Sequence, residues 1–179
     1  MNQRRLIRVW IVLAATGLAV LPPGLVDASP CWLPPTSAPV VDPFRQPACR
    51  WCPGNRGIEY GTRDGDAVRA AATGTVTFSG TIGGTTYVVV QLPGDLRVTY
   101  GSITGVTLRR GDVIVRGTVI GAVVGHLHFG LRDGDAYIDP APFLGSLTYS
   151  ARLIPVNGDE PASPHPPELR CVGNRSRSG

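Results

Sequence analysis

Between residues 54 and 148 the chain never spaces its apolar residues three and four apart over enough length for an amphipathic helix. Instead it carries short apolar or alternating runs separated by glycine. That pattern confines the domain to sheet. Thr75-Val76-Thr77-Phe78-Ser79 alternates as a half-buried strand does, and Tyr87-Val88-Val89-Val90 is apolar at every position and predicts a central strand. Arg97 to Tyr100, Val113 to Val115 and Thr118 to Val124 are further strand candidates, with turns at Gly80 to Gly84, Pro93-Gly94-Asp95, Gly111-Asp112 and Arg116-Gly117. Only Pro140 to Leu144 suits a single helical turn. Many short strands with glycine turns predict an all-β sandwich or barrel.

Composition divides the chain around that domain. Its 179 residues suit one domain, and 42% hydrophobic against 17% charged residues suffices for a core. Arg4, Arg5 and Arg8 precede an apolar run from Val9 to Val20, which Pro22-Pro23-Gly24 ends; Val26-Asp27-Ala28 then offers small residues for cleavage. Residues 1–28 therefore read as an export signal, with an uncleaved membrane anchor as the alternative. Residues 29–53, with Pro30, Pro34, Pro35, Pro39, Pro43, Pro47 and Pro53, predict an extended arm lying over the domain. Residues 149–179 form a low-complexity, flexible tail tethered at Cys171, in which His165 is expected to be solvated.

Several chemistries are excluded. Every basic residue is arginine, so no lysine exists for a Schiff base, a Walker-type phosphate loop or a biotin or lipoyl carrier. Removing residues 1–28 takes three arginines and Asp27 from a net charge of +4, leaving +2, too little to suggest a nucleic-acid partner. Export places Cys31, Cys49, Cys52 and Cys171 in an oxidising compartment, which favours two disulfides. Of the three pairings, a local Cys49–Cys52 clip with a Cys31–Cys171 staple is favoured. A redox role for Cys49-Arg50-Trp51-Cys52 lacks the βαβ setting it needs, and a zinc knuckle lacks its second pair.

Candidate chemistry lies at Gly125-His126-Leu127-His128-Phe129-Gly130. In a strand, His126 and His128 share one face while Leu127 and Phe129 point to the core. Neutral imidazole binds zinc well and serves as a base near pH 7; two exposed strand residues without function are the plain alternative. Arg109, Arg110 and Arg116 read as solvated strand ends, and Asp133, Asp135 and Asp139 as turn formers. Trp32 and Trp51 are expected to pack the arm against the domain.

A family resemblance emerges from the motifs in order: Asn55-Arg56-Gly57-Ile58-Glu59-Tyr60-Gly61, Val68 through Val76, Val98-Thr99-Tyr100-Gly101-Ser102, Arg110-Gly111-Asp112, Arg116-Gly117, Gly121, His126-Leu127-His128-Phe129 and Asp139-Pro140. Across roughly residues 54–145 they resemble the lysostaphin/LytM-type zinc endopeptidases. The resemblance implies a compact antiparallel barrel-sandwich fold, in a domain set at residues 54–148, and enzymes that cut peptide cross-links of bacterial peptidoglycan. In active members zinc is held by a His-x-x-x-Asp motif and the second histidine of His-x-His. The first histidine of His-x-His and another from a Tyr-Ala-His-Leu-like strand assist the attacking water. Position by position, His128 matches the ligand and His126 the catalytic partner. Asn55 replaces the ligand histidine, Glu59 the aspartate and Ser102 the second catalytic histidine.

These replacements predict a weakened metal site. The extra methylene of Glu59 displaces its carboxylate by about 1.5 Å, a neutral amide suits calcium better than zinc, and a serine cannot shuttle protons near neutrality. The expectation is a secreted, catalytically degenerate module of the bacterial envelope. It would hold peptidoglycan peptides in a groove lined by Tyr100, or dock and regulate a wall hydrolase, with Asn55, Glu59 and His128 converging on one small cavity. The alternatives are a working zinc endopeptidase with altered ligands (Glu59, His128 and His126) and a purely structural envelope module.

Overall fold

The computed structural model describes residues 31–49, 51–148 and 167–171. The expected signal segment, His165 and most of the C-terminal tail lie outside the described residues. Among the described residues eleven strands follow one another: β1 (Val40–Asp42), β2 (Gly57–Tyr60), β3 (Ala67–Arg69), β4 (Gly74–Ile82), β5 (Thr85–Gln91), β6 (Leu96–Thr104), β7 (Val113–Ile114), β8 (Val119–Asp133), β9 (Ala136–Ile138), β10 (Ser146–Thr148) and β11 (Glu168–Arg170). One 3-10 turn, Ala141–Phe143, stands within Pro140 to Leu144, the stretch the sequence suits to a single helical turn. The chain is all-β and antiparallel, and its main sheet does not close into a barrel.

Nine strands form that sheet in the order β1-β2-β8-β6-β5-β4-β7, with β3 and β9 also pairing to β8. Strand β8 is its spine, since β2, β3, β6 and β9 all bond to it. Alternation explains the core: Val88 and Val90 of β5, Val98 and Tyr100 of β6, and Leu127, Phe129 and Leu131 of β8 are all buried on one face. Each large aliphatic side chain so buried contributes about 1.5–3 kcal/mol. Strand β5 is central, between β4 and β6, yet only one of its faces is sealed; Tyr87 and Val89 are half-buried.

The proline-rich arm is built into the sheet edge. β1 pairs with β2, and Gly61 donates its N–H to the Pro39 carbonyl at 2.9 Å. Trp32 is buried and stacks on Phe143 with ring centroids 4.9 Å apart. Trp51 departs from expectation: it is 85% exposed, because it lies at the tip of the loop between the paired residues Arg45 and Asn55. Disulfides join Cys31 to Cys171 and Cys49 to Cys52, and β11 pairs with β10 beside the first of them.

Candidate functional site

The β2–β8 register sets the site. Glu59 lies directly opposite His128 and Gly57 opposite Gly130, while on the other side of β8 Gly101 faces His128. These side chains share the sheet face that points away from Phe129 and Leu127. Glycine is required where His128 lies: a Cβ on Gly57 would come 2.7 Å from His128 Cε1 and 2.5 Å from the Phe129 carbonyl oxygen. One on Gly101 would come 2.7 Å from Tyr87 Cε1 and 3.2 Å from His128 Cβ. The imidazole thus rests on a floor of bare backbone.

Each predicted donor is engaged by the protein itself. His128 Nδ1 and Glu59 Oε1 are 2.5 Å apart, both side chains about a quarter exposed (26% and 27%), a geometry suited to a strong charge-assisted bond. The longer carboxylate therefore reaches its cross-strand neighbour. Asn55, only 7% exposed, accepts the Gly57 N–H at 3.2 Å through Oδ1. Its Nδ2 donates to the carbonyls of Asp42 and Pro43 at 3.4 and 3.2 Å, so the amide clips the arm to the start of β2. Arg45 bonds Asp42 in the same arm, and that bond holds the Asp42 carboxyl below its ordinary range.

The catalytic candidates are placed differently. His126 Nδ1 lies 3.1 Å from the Tyr60 carbonyl, which can only accept, so that nitrogen carries the proton. Ser102 sits at a register break: β6 and β8 pair as far as Gly101 and His128, then resume at Ile103 and Val123. Its φ of 61° lies in the left-handed region, rare for a residue with a side chain. On β8 the matching excursion turns at Gly125 (φ 76°). The Thr62 hydroxyl donates to the Gly125 carbonyl at 2.9 Å and accepts the Leu127 N–H at 3.0 Å, while Asp64 accepts the Gly125 N–H at 2.6 Å. Thr62 and Asp64 thereby hold the bulge that presents His126. No local pattern singles them out, since their partners lie some sixty residues away.

Tyr100 corrects the expectation that it lines the groove. It is 1% exposed, faces Phe129 across β6–β8, and its hydroxyl accepts the Ala71 N–H at 2.7 Å. Strand alternation puts it on the core face once Gly101 is on the outer one. Burial pushes its hydroxyl, and that of Tyr60, well above the ordinary tyrosine range. The groove wall is Tyr87 instead. An open cavity of about 390 Å³ beside His128 is lined by Tyr87, Thr99, Arg56, Arg132, Tyr137 and Asn55 together with glycine backbone. Asn55 and His128 share this cavity, whereas Glu59 lies outside its lining. The lining includes no described residue of the 29–53 arm, which follows the β2 edge.

Zinc does not fit this donor arrangement. One nitrogen of His128 is committed to Glu59, both ends of the Asn55 amide are committed to backbone, and among the described residues no three His, Cys, Asp or Glu side chains converge to hold a metal.

Comparison with known proteins places this fold and site. Residues 53–140 match the model of peptidase family M23, and the chain belongs to that family. It is 33% identical over 171 residues to an uncharacterized protein of Mycobacterium tuberculosis, Rv2891, covering 88% of this chain and 67% of that one. Csd3 of Helicobacter pylori shares the fold with a TM-score of 0.58 and 25% identity, over 65% of this chain and 35% of Csd3. The solution structure of lysostaphin superposes with a TM-score of 0.52 and 19% identity, over 69% of this chain and 60% of lysostaphin.

Proposed function

We propose that this chain is an extracytoplasmic, catalytically degenerate family member that binds peptidoglycan stem peptides in the groove beside His128, or presents that groove to a wall hydrolase it regulates. The observation that carries this reading is the fate of Asn55. Where active relatives place a ligand histidine, a buried amide donates through Nδ2 to two carbonyls of the arm and accepts the Gly57 N–H through Oδ1. Without three convergent donors among the described residues, no metal is held there to activate a water. The fold nevertheless keeps an open cavity, walled by aromatic rings and floored by glycine, of the size that suits a small ligand. Two disulfides fit an oxidising compartment.

The test is direct. The oxidised protein is incubated with peptidoglycan, bound zinc is measured, and new peptide ends are sought. Substoichiometric metal, no cleavage and co-sedimentation with the wall material are expected. One tightly held zinc per chain together with hydrolysed fragments would establish the alternative, an active endopeptidase using Glu59, His128 and His126. The triple variant Asn55→His, Glu59→Asp, Ser102→His is expected to gain zinc binding if the scaffold alone is intact.

A further inference from the structure

A second cleft lies on the other face of β2. Glu59 points to the His128 side, so alternation turns Ile58 and Tyr60 inward, and β1 brings Val40 opposite Tyr60. The arm and the segment around Leu144 and Leu147 lie across from them. Between these walls is an open cleft of about 360 Å³, lined by Pro34, Ala38, Val40, Ile58, Leu144 and Leu147 around Tyr60. No Asp, Glu, Arg or His is among its described lining residues. A neighbouring cleft of about 470 Å³ shares Pro34 and Ala38 but is lined by Arg63, Asp66 and Arg69, so a charged ligand has better partners there.

Tyr60 is the anomaly in this wall. It is 3% exposed, yet its hydroxyl makes no hydrogen bond to a described residue, and burial alone raises its pKa. Tyr100, as deeply buried, accepts the Ala71 N–H. A buried tyrosine hydroxyl normally finds a partner, and leaving it without one is costly. Among the described residues Arg132 Nε is the only fully enclosed side-chain polar atom without a partner, so the Tyr60 hydroxyl keeps access to the cleft that its ring lines. The cleft therefore offers aliphatic walls and one unused O–H donor.

We propose that this cleft binds a neutral aliphatic acyl compound, an ester or ketone, whose carbonyl oxygen accepts the Tyr60 O–H while its chain lies against Val40, Ile58 and Leu144. A carbonyl oxygen only accepts, which matches a site with one spare donor. A carboxylate would be buried there without a cation, at a cost its chain does not offset. The volume lies within the range of small-ligand sites. This cleft shares no described lining residue with the cavity beside His128, and the inference stands apart from the reading of that cavity.

The probe is methyl octanoate, titrated into the full oxidised chain and followed by NMR at the methyl groups of Ile58, Leu144 and Leu147. Saturable shifts at those methyls are expected. Tyr60→Phe removes a hydroxyl that bonds nothing in the protein, so its Tm should equal or exceed the parent's. It should bind the ester about three- to tenfold more weakly, the range of one neutral hydrogen bond. Octanoate should bind about tenfold or more weakly than its methyl ester. No saturable binding of the ester leaves the cleft to water or to the chain's own residues and overturns the inference. Shifts centred on His128 and Tyr87 overturn it too, as does an ester affinity unchanged in Tyr60→Phe or octanoate that binds as tightly as the ester. A lower Tm in Tyr60→Phe would show that the hydroxyl is already bonded within the protein, and equally overturns it.

Discussion

Replacing Asn55 by alanine tests whether this residue is a strut. The change deletes two long bonds to the arm, at 3.4 and 3.2 Å, and strips the buried Gly57 N–H of its acceptor at 3.2 Å. Long neutral bonds contribute at the low end, about 0.5 kcal/mol each, and an orphaned buried N–H costs about 1–3 kcal/mol. The expected loss is about 2–4 kcal/mol, which for a chain of this size lowers Tm by roughly 4–16 °C. Asn55→Asp separates the two halves of the role. Its carboxylate still accepts the Gly57 N–H, but its second oxygen faces the carbonyl oxygens of Asp42 and Pro43 where a donor stood, so the arm loosens while β2 stays in place. Scanning calorimetry reads the global effect. Hydrogen exchange at the Gly61 amide, which bonds Pro39 of the arm, reads the local one. Faster exchange at Gly61 in both variants, with the larger Tm loss in the alanine variant, is expected. An unchanged Tm together with unchanged protection of Gly61 in Asn55→Ala would refute the argument.

Three further outcomes follow from the same structure. Thr62→Val removes the hydroxyl that bridges the Gly125 carbonyl and the Leu127 N–H, so chemical denaturation should show a loss of about 1–3 kcal/mol, and the His126 ring signal should shift in NMR spectra. Tyr60 and Tyr100 have raised folded pKa values through burial, so their contribution is complete below about pH 10 and lost as pH rises above it; stability should fall by up to about 1.4 kcal/mol per pH unit for each of them, while acid pH leaves this term untouched. Replacing Cys31 and Cys171 together by alanine opens a bridge spanning 140 residues, for which the chain-entropy model gives about 5 kcal/mol. Denaturant midpoints under non-reducing conditions measure it, and a midpoint equal to the parent's would show that the termini gain nothing from the staple.

How far the chain could be read from its residues depends on the range of the interaction. The strand runs around Thr75 to Ser79, Tyr87 to Val90 and Arg97 to Tyr100 are legible because period-two patterning is local, and each lies within an observed strand. His126 and His128 are legible as a constellation for the same reason. Tyr100 lies in the core and not on the groove, because alternation gives two faces but does not say which is inward until partners are known. Trp51 is exposed because its position depends on a loop closed by the distant Arg45–Asn55 bridge, which no flanking residue signals.

Residue identity alone determines that this molecule is a sheet without lysine chemistry, that it has cysteines for two bridges, and that an amide, a longer carboxylate and a serine stand at three positions of the motif. What those three residues do instead was decided only by tertiary structure. Asn55 ties down an arm thirteen residues away in sequence, Glu59 bonds a histidine sixty-nine residues away, and Ser102 absorbs a register break. The cavity beside His128 likewise draws on residues from four strands and the segment before β2. The physical reason is that cross-strand pairing joins residues far apart along the chain, so the neighbours that settle a polar side chain's role are set by sheet register and not by its flanking sequence.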